Sequence, residues 1–132
     1  MEPDRLEQIP AFAALSPEER AELARSLREV AVEAGTALAE QGANAYELYF
    51  IEAGEAEVRR GGEVLATLTA GDVFGEIGIL VTGKRTASVV ATTPMRLLAL
   101  FTRDYNRIKD EMPALVSSVR ATMADRVART SF

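Results

Sequence analysis

Apolar and polar residues repeat with a helical period at both ends of the chain and with a strand period in the middle. Ser16-Pro17-Glu18-Glu19 supplies a serine N-cap, a proline at the first helical position and a glutamate three residues after the cap, which is a capping box. Leu23 and Leu27 follow four residues apart, so we predict a helix from about Pro17 to Arg28 with one apolar face. The apolar residues of a shorter helical piece, interrupted at Pro10, are Leu6, Ile9 and Phe12.

The period shortens to two residues from Val30, where Val30 and Val32 alternate with Ala31 and Glu33. Glycines then recur at intervals typical of turns between short strands. Gly61-Gly62 predicts a two-residue hairpin turn, because glycine accepts the positive φ angles that such turns require. We predict strands near residues 29–33, 36–40, 46–52, 55–60, 63–68, 72–74, 86–92 and 95–101.

Helical patterns return after residue 101. We predict that Thr102 caps a helix running to about Glu111. A second helix is predicted to begin at Pro113. Spacings of three and four residues give this last helix one apolar face, formed by Val116, Val119, Met123 and Val127. That face is expected to pack on the chain's own sheet, or else to pair with a second subunit or move when a ligand binds.

Composition narrows the classes of function. The 132 residues, 48% of them apolar, fit one domain, expected at 1–132. The absence of cysteine and histidine excludes thiolate and imidazole metal sites and every nucleophile that depends on histidine, so we expect no enzyme and no metal. A net charge of −5 disfavours direct binding to nucleic acid. The lack of a long apolar run predicts no membrane span and favours the cytoplasm.

The segment from Gly71 to Ala91 holds the candidate chemistry: a strand, a glycine break, a short apolar helix, a second glycine break and then a cation entering another strand. A helix beginning after Gly75 would point unbonded backbone N–H groups at an anion. Arg85 would add a charge-assisted pair to the same anion. A carboxylate at Glu76 fits such a site only if it accepts a hydrogen bond from a neutral group of the ligand, such as a sugar hydroxyl. Phosphate and hydroxyl together indicate a nucleotide.

Phe74-Gly75-Glu76-Ile77-Gly78, closed by Arg85-Thr86-Ala87, resembles the phosphate-binding cassette of the cyclic nucleotide-binding domain family. The resemblance implies a mainly β, α+β fold with an eight-stranded antiparallel jelly-roll β-barrel and flanking helices. N-terminal helices are expected at about 4–28, the jelly roll at about 29–101 and C-terminal helices at about 102–130. The order of elements read from the residues agrees with this plan.

The resemblance also implies ligand contacts. Arg85 would pair with the cyclic phosphate and Glu76 would accept from the ribose 2′-hydroxyl, while Thr86 leaves both cAMP and cGMP open, with cAMP favoured. Lys84 is expected to be a solvated charge. The backbone N–H groups around the phosphate would belong to Gly75, Glu76, Ile77 and Ala87. Phe74, directly before Gly75, is also expected in the ligand site. Val58 and Leu65 would line the base pocket, and Val119, Met123 or Val127 would cap the base.

The expected function is a cyclic nucleotide sensor whose C-terminal helix responds to the ligand and contacts a second copy or an effector protein. The alternative is a jelly roll that has lost binding, in which Arg85 satisfies Glu76 and the domain serves interaction or dimerisation. The seven residues from Gly78 to Lys84 also fit the start of a nucleoside-triphosphate loop, but Arg85 stands where Ser or Thr must hold magnesium. A strand-like run follows instead of a long helix, so we reject an NTPase. A jelly-roll metalloenzyme is equally poor without histidine.

Overall fold

The computed structural model describes residues 2–75, 84–85 and 87–130, with the backbone alone for 122–130. Two 3₁₀ segments, Pro3–Gln8 and Pro10–Phe12, precede helix α1 at Pro17–Ser26. The strands are β1 (Arg28–Val32), β2 (Ala37–Ala39), β3 (Glu47–Ala53), β4 (Ala56–Arg60), β5 (Glu63–Leu68), β6 (Val73–Phe74), β7 (Ser88–Ala91) and β8 (Met95–Phe101). Helices α2 (Thr102–Ile108) and α3 (Pro113–Thr130) follow.

Two four-stranded antiparallel sheets are formed by the described strands. One sheet has the order β1-β8-β3-β6 and the other the order β2-β7-β4-β5. The prediction of a mainly β fold with helices at both ends is therefore confirmed.

The central strands of one sheet, β3 and β8, are largely buried on both faces. Leu48 and Phe50 of β3 face a core built with the N-terminal segments, α2 and α3, where the Phe12 and Phe50 rings lie 4.6 Å apart. Tyr49 and Ile51, which alternate with them, face a second core between the two sheets. The β3 strand therefore separates a helical core from an inter-sheet core.

Two local predictions are confirmed. The Ser16 Oγ accepts from the Glu19 backbone N–H at 3.1 Å, and the Glu19 carboxylate accepts from the Ser16 N–H at 2.9 Å, which completes the capping box. Gly61 and Gly62, at φ 58° and 83°, join β4 to β5 with Arg60 paired to Glu63.

Three helix boundaries were wrong. Helix α2 ends at Ile108 and not at about Glu111. Helix α1 ends at Ser26, because Arg28 already pairs with Ala99 as the first residue of β1. Helix α2 has Phe101 as its N-cap, and the Thr102 side chain makes no capping hydrogen bond. The Thr102 backbone N–H donates to the Tyr46 carbonyl at 2.7 Å, which extends the β3–β8 pairing by one step and makes Thr102 the first helical residue.

Candidate functional site

The candidate site begins where β6 ends at Phe74. Phe74 is buried between the sheets and its ring stacks on that of Tyr49, with centroids 4.9 Å apart. The next residue, Gly75, has a φ of 92°, a conformation that residues with a Cβ rarely adopt. A Cβ added at Gly75 would lie 2.4 Å from Nη1 of Arg85 and 2.7 Å from the Glu47 carbonyl oxygen. Glycine is therefore required here both for the turn and for the approach of the arginine.

The Arg85 side chain is buried, with the residue 8% exposed. Its Nη2 donates to the Glu47 carbonyl at 3.0 Å, and its Nη1 donates to the Gly75 carbonyl over a longer 3.4 Å. The guanidinium also lies over the Tyr49 ring, 6.0 Å from the centroid. These contacts account for two of the five guanidinium N–H groups. The remaining donors are available to an anion in the site, as far as the described residues show.

The backbone of Arg85 is fixed as firmly as its side chain. Its N–H donates to the Ala43 carbonyl at 2.7 Å, and its carbonyl accepts from the Gly42 N–H at 2.9 Å. Next to it, Lys84 is exposed and its Nζ donates to Oδ1 of Asn44 at 2.5 Å. The loop between β2 and β3 thus holds the cation in place.

The electrostatics of Arg85 differ from those of an arginine in an ion pair. No ion pair between described residues involves Arg85, and the nearby Glu47 carboxylate pairs with Arg28 instead, at 2.6 Å. Burial lowers the pKa of the Arg85 guanidinium and raises that of the Tyr49 hydroxyl. Arginine nevertheless stays protonated at neutral pH, so the site carries a fixed, partly desolvated positive charge.

A depression of about 240 Å³ opens beside Arg85, and its described walls come from β2, the loop after it and the start of β3. Arg85, Tyr49 and Glu47 are among its lining residues. Sequence reasoning missed Tyr49 and Glu47. Tyr49 was detectable by its place on a strand, but Glu47 acts through its backbone oxygen, which any residue type supplies.

The structure brings together part of the predicted site. Phe74, Val58 and Ala87 are buried in the inter-sheet core near Tyr49, and Leu65 packs against that core. Leu65 is the extra residue of a β-bulge, since Val58 pairs with Ala66 while Arg59 pairs with Val64.

Other predicted site residues are placed elsewhere or lie outside the description. Val119 is fully buried in the helical core, on the other side of the β3 sheet from Val58. The structure therefore does not bring Val119 to the base pocket, and its capping role stays a prediction. Glu76, Ile77 and Thr86 lie outside the described residues, as do the side chains of Met123 and Val127.

Two antiparallel sheets, helices at both ends and a buried arginine beside a glycine turn define a mainly β class of domain with an enclosed cation. The profile of the family described as "Cyclic nucleotide-binding domain" matches residues 29–111, well over half of the chain. The chain belongs to the cyclic nucleotide-binding domain family. The resemblance stated from the cassette residues is thereby confirmed.

Three individual proteins illustrate what this chain is similar to. The chain is 36% identical over 104 residues to the cAMP-dependent protein kinase regulatory subunit of Schizosaccharomyces pombe, covering 78% of this chain and 25% of that protein. The catabolite activator protein of Thermus thermophilus is 31% identical with a TM-score of 0.78, over 92% of this chain and 60% of that one. The N-terminal domain of a transcriptional regulator from Streptomyces coelicolor is 30% identical with a TM-score of 0.72, over 96% and 94%.

The chain spans about a quarter of the length of the curated relatives it matches first. These three relatives are named as regulatory subunits of cAMP-dependent protein kinase. No helix in the described part of the chain is both long and apolar enough to cross a bilayer.

Proposed function

We propose that this chain is a cAMP-responsive regulatory domain that prefers cAMP to cGMP. The observation that carries the proposal is the environment of Arg85, a buried cation held by two backbone carbonyls and an aromatic face and paired with no described carboxylate. A buried charge without a counter-ion is costly, and a bound phosphate would supply the missing partner.

In the proposed complex, the guanidinium of Arg85 binds the cyclic phosphate. Backbone N–H groups of Gly75 and Ala87, with those of Glu76 and Ile77, complete the phosphate shell. The Glu76 carboxylate accepts from the ribose 2′-hydroxyl. This arrangement explains why Gly75 must lack a side chain, since a Cβ would displace the arginine from the phosphate.

The base is proposed to lie against Val58 and Leu65. The bulge at Leu65 supports this assignment, because a bulge redirects a side chain relative to a regular strand. The preference for cAMP is supported by the relatives named as regulatory subunits of cAMP-dependent kinases. We also propose that the two sheets close as an eight-stranded jelly roll around this pocket.

The C-terminal helix is proposed to respond to the ligand by a shift in population between two positions. Val119 anchors α3 in the helical core, so a cap over the base would come more readily from Met123 or Val127 farther along the helix. Val119 could serve only if α3 left that core, which would expose its buried apolar surface. The moving part is therefore expected to begin after Val119.

Isothermal titration calorimetry with cAMP, cGMP and 5′-AMP, on protein shown to be free of nucleotide, tests the ligand. We expect saturable binding of the cyclic nucleotides, tightest for cAMP, and none of 5′-AMP at matched concentration. Arg85→Ala should weaken cAMP binding by about 2–4 kcal/mol, because it removes the charged partner of a buried phosphate. Arg85→Lys keeps the positive charge but loses the forked donors of the guanidinium. Its cAMP affinity should therefore lie between those of the parent chain and Arg85→Ala.

Arg96→Ala is the matched control, since Arg96 is exposed on β8 at the end remote from Phe101. It should bind cAMP like the parent chain. Circular dichroism of each free variant verifies that the fold is retained. Absence of binding by any cyclic nucleotide would overturn the proposal and favour a ligand-free interaction or dimerisation module. Full cAMP affinity in Arg85→Ala would instead refute the assignment of Arg85 to the phosphate.

Hydrogen exchange tests the response of the helix. Protection across residues 113–130 should increase with cAMP, most strongly after Val119. Equal exchange in free and cAMP-bound protein would refute the helix response while leaving binding intact. Sedimentation of both forms tests whether α3 pairs two copies.

A further inference from the structure

A positively charged surface lies where α1 ends and α2 begins. Its four arginines come from three elements, α1, β1 and α2, and each of the four is exposed. Together with the carboxylates Glu22 and Asp104 they line a depression of about 580 Å³, in which the four arginines outnumber the two acidic residues. This depression shares Phe101 and Arg103 with a more apolar depression of about 740 Å³ beside Tyr46. We call this surface the arginine–aromatic face and define it as Arg25, Arg28, Arg103, Arg107, Phe101 and Tyr46.

The charges of the face are only partly balanced within the described chain. Arg28 pairs with Glu47 at 2.6 Å, and Arg107 lies 3.4 Å from Asp104 while donating to the Ser26 hydroxyl at 2.8 Å. Arg25 and Arg103 form no ion pair with any described residue. The whole chain carries a net charge of −5, so this positive surface contrasts with the negative potential of the protein as a whole.

The aromatic residues give the face a rigid centre. The guanidinium groups of Arg28 and Arg103 each lie over the Phe101 ring, 5.4 Å from its centroid. Stacking of this kind restrains an arginine while leaving its N–H edge free to bind a carboxylate. Tyr46 is 61% exposed, an unusual state for a large aromatic side chain.

Arginine and tyrosine are the residue types enriched at the energetic centres of protein interfaces. We infer that the arginine–aromatic face is a docking surface for an acidic, phenylalanine- or tryptophan-bearing segment of a partner protein. Carboxylates of that segment bind Arg25 and Arg103, and its aromatic anchor packs between Tyr46 and Phe101. A peptide fits better than nucleic acid, because the surrounding negative charge of this chain repels a continuous phosphate backbone.

This inference goes beyond nucleotide binding and does not depend on it. The test is a titration followed by ¹H–¹⁵N NMR at about 0.15 M salt, where charges beyond roughly 8 Å are screened. The probe is a short amidated peptide that alternates pairs of glutamates with single phenylalanines. We expect saturable shifts at Arg25, Tyr46, Phe101 and Arg103, none with a peptide in which glutamine replaces glutamate, and weaker ones when alanine replaces phenylalanine.

The double variant R25E/R103E should weaken peptide binding by at least about tenfold, as expected for removing two charge pairs. The matched control R96E/R120E makes the same change in net charge at exposed arginines outside the face and should lose less than about threefold. Equal loss in both double variants, or no saturable shifts at the face, would overturn the inference. Tighter binding of a single-stranded oligonucleotide than of the peptide would overturn it in favour of nucleic acid.

Discussion

Replacement of Gly75 by alanine separates two physical effects at the candidate site. The φ of 92° at Gly75 strains any residue with a Cβ, at a cost of about 1–2 kcal/mol. The added methyl group would also lie 2.7 Å from the Glu47 carbonyl oxygen and 2.4 Å from Nη1 of Arg85. The arginine can swing away, but the carbonyl belongs to a paired strand, so the backbone must shift at a further cost of about 1–3 kcal/mol.

Gly35→Ala is the matched control, because Gly35 has a φ of 89° and open space around its missing Cβ. It should lose only the strain contribution. We expect urea unfolding of the free protein to give a loss of about 2–5 kcal/mol for Gly75→Ala and about 1–2 kcal/mol for Gly35→Ala. A domain of this size should then melt several degrees lower in the Gly75 variant than in the control.

Titration with cAMP provides an independent measurement. Displacement of Arg85 forfeits a charge-assisted hydrogen bond, so Gly75→Ala should bind cAMP about 10–100-fold more weakly, while Gly35→Ala keeps the parent affinity. Equal stability of the two variants would refute the close approach of Arg85 and Glu47 to Gly75. A Gly75→Ala protein that is destabilised but retains full cAMP affinity would refute only the role of Arg85 in the ligand site.

Substitutions at three further positions have defined outcomes. Ser16→Ala removes the acceptor of the capping box and should cost about 1 kcal/mol in urea unfolding, whereas Ser16→Asp should restore most of it. Thr102→Val should be neutral or stabilising by up to about 1 kcal/mol in the same assay, because the buried Thr102 hydroxyl has no described hydrogen-bond partner; a clear loss would contradict this. Paired hydrogen bonds from Arg5, at 2.6 and 2.7 Å, hold the pKa of Glu52 below its usual value of 4.5, so the stability that Glu52 contributes is complete above pH 4.5 and is lost as the pH falls through the lower folded-state value. The stability difference between the parent and Glu52→Gln should therefore shrink between pH 6 and pH 3, and a difference independent of pH would contradict this origin.

The parts of the fold that sequence predicted well depend on contacts between near neighbours. The capping box joins residues three apart, and the Gly61-Gly62 turn is determined by the backbone freedom of two glycines. Helix boundaries failed where distant pairing intervened: Ser26 ends α1 because β1 pairs with β8. Thr102 is not a cap for the same reason, since its N–H completes a bond to Tyr46.

The candidate site was predictable in its charged residue and not in its surroundings. Arg85 and Gly75 are distinctive in sequence because their chemistry depends on residue type. Val119 fits the helical stripe equally well as a core residue or as a cap, and periodicity alone does not separate the two. The bulge at Leu65 also depends on registers across two strands, which no local pattern reveals.

Glu47 contributes to two surfaces through chemically separate groups. Its main-chain oxygen accepts from Arg85, and its carboxylate pairs with Arg28. Alanine scanning would remove only the second interaction and would therefore assign the residue to the arginine–aromatic face alone. Replacing the following amide by an ester weakens the carbonyl as an acceptor and would reveal the first. Sequence variation at position 47 consequently reports on the outer surface, while the oxygen that orients Arg85 is preserved whatever side chain the position carries.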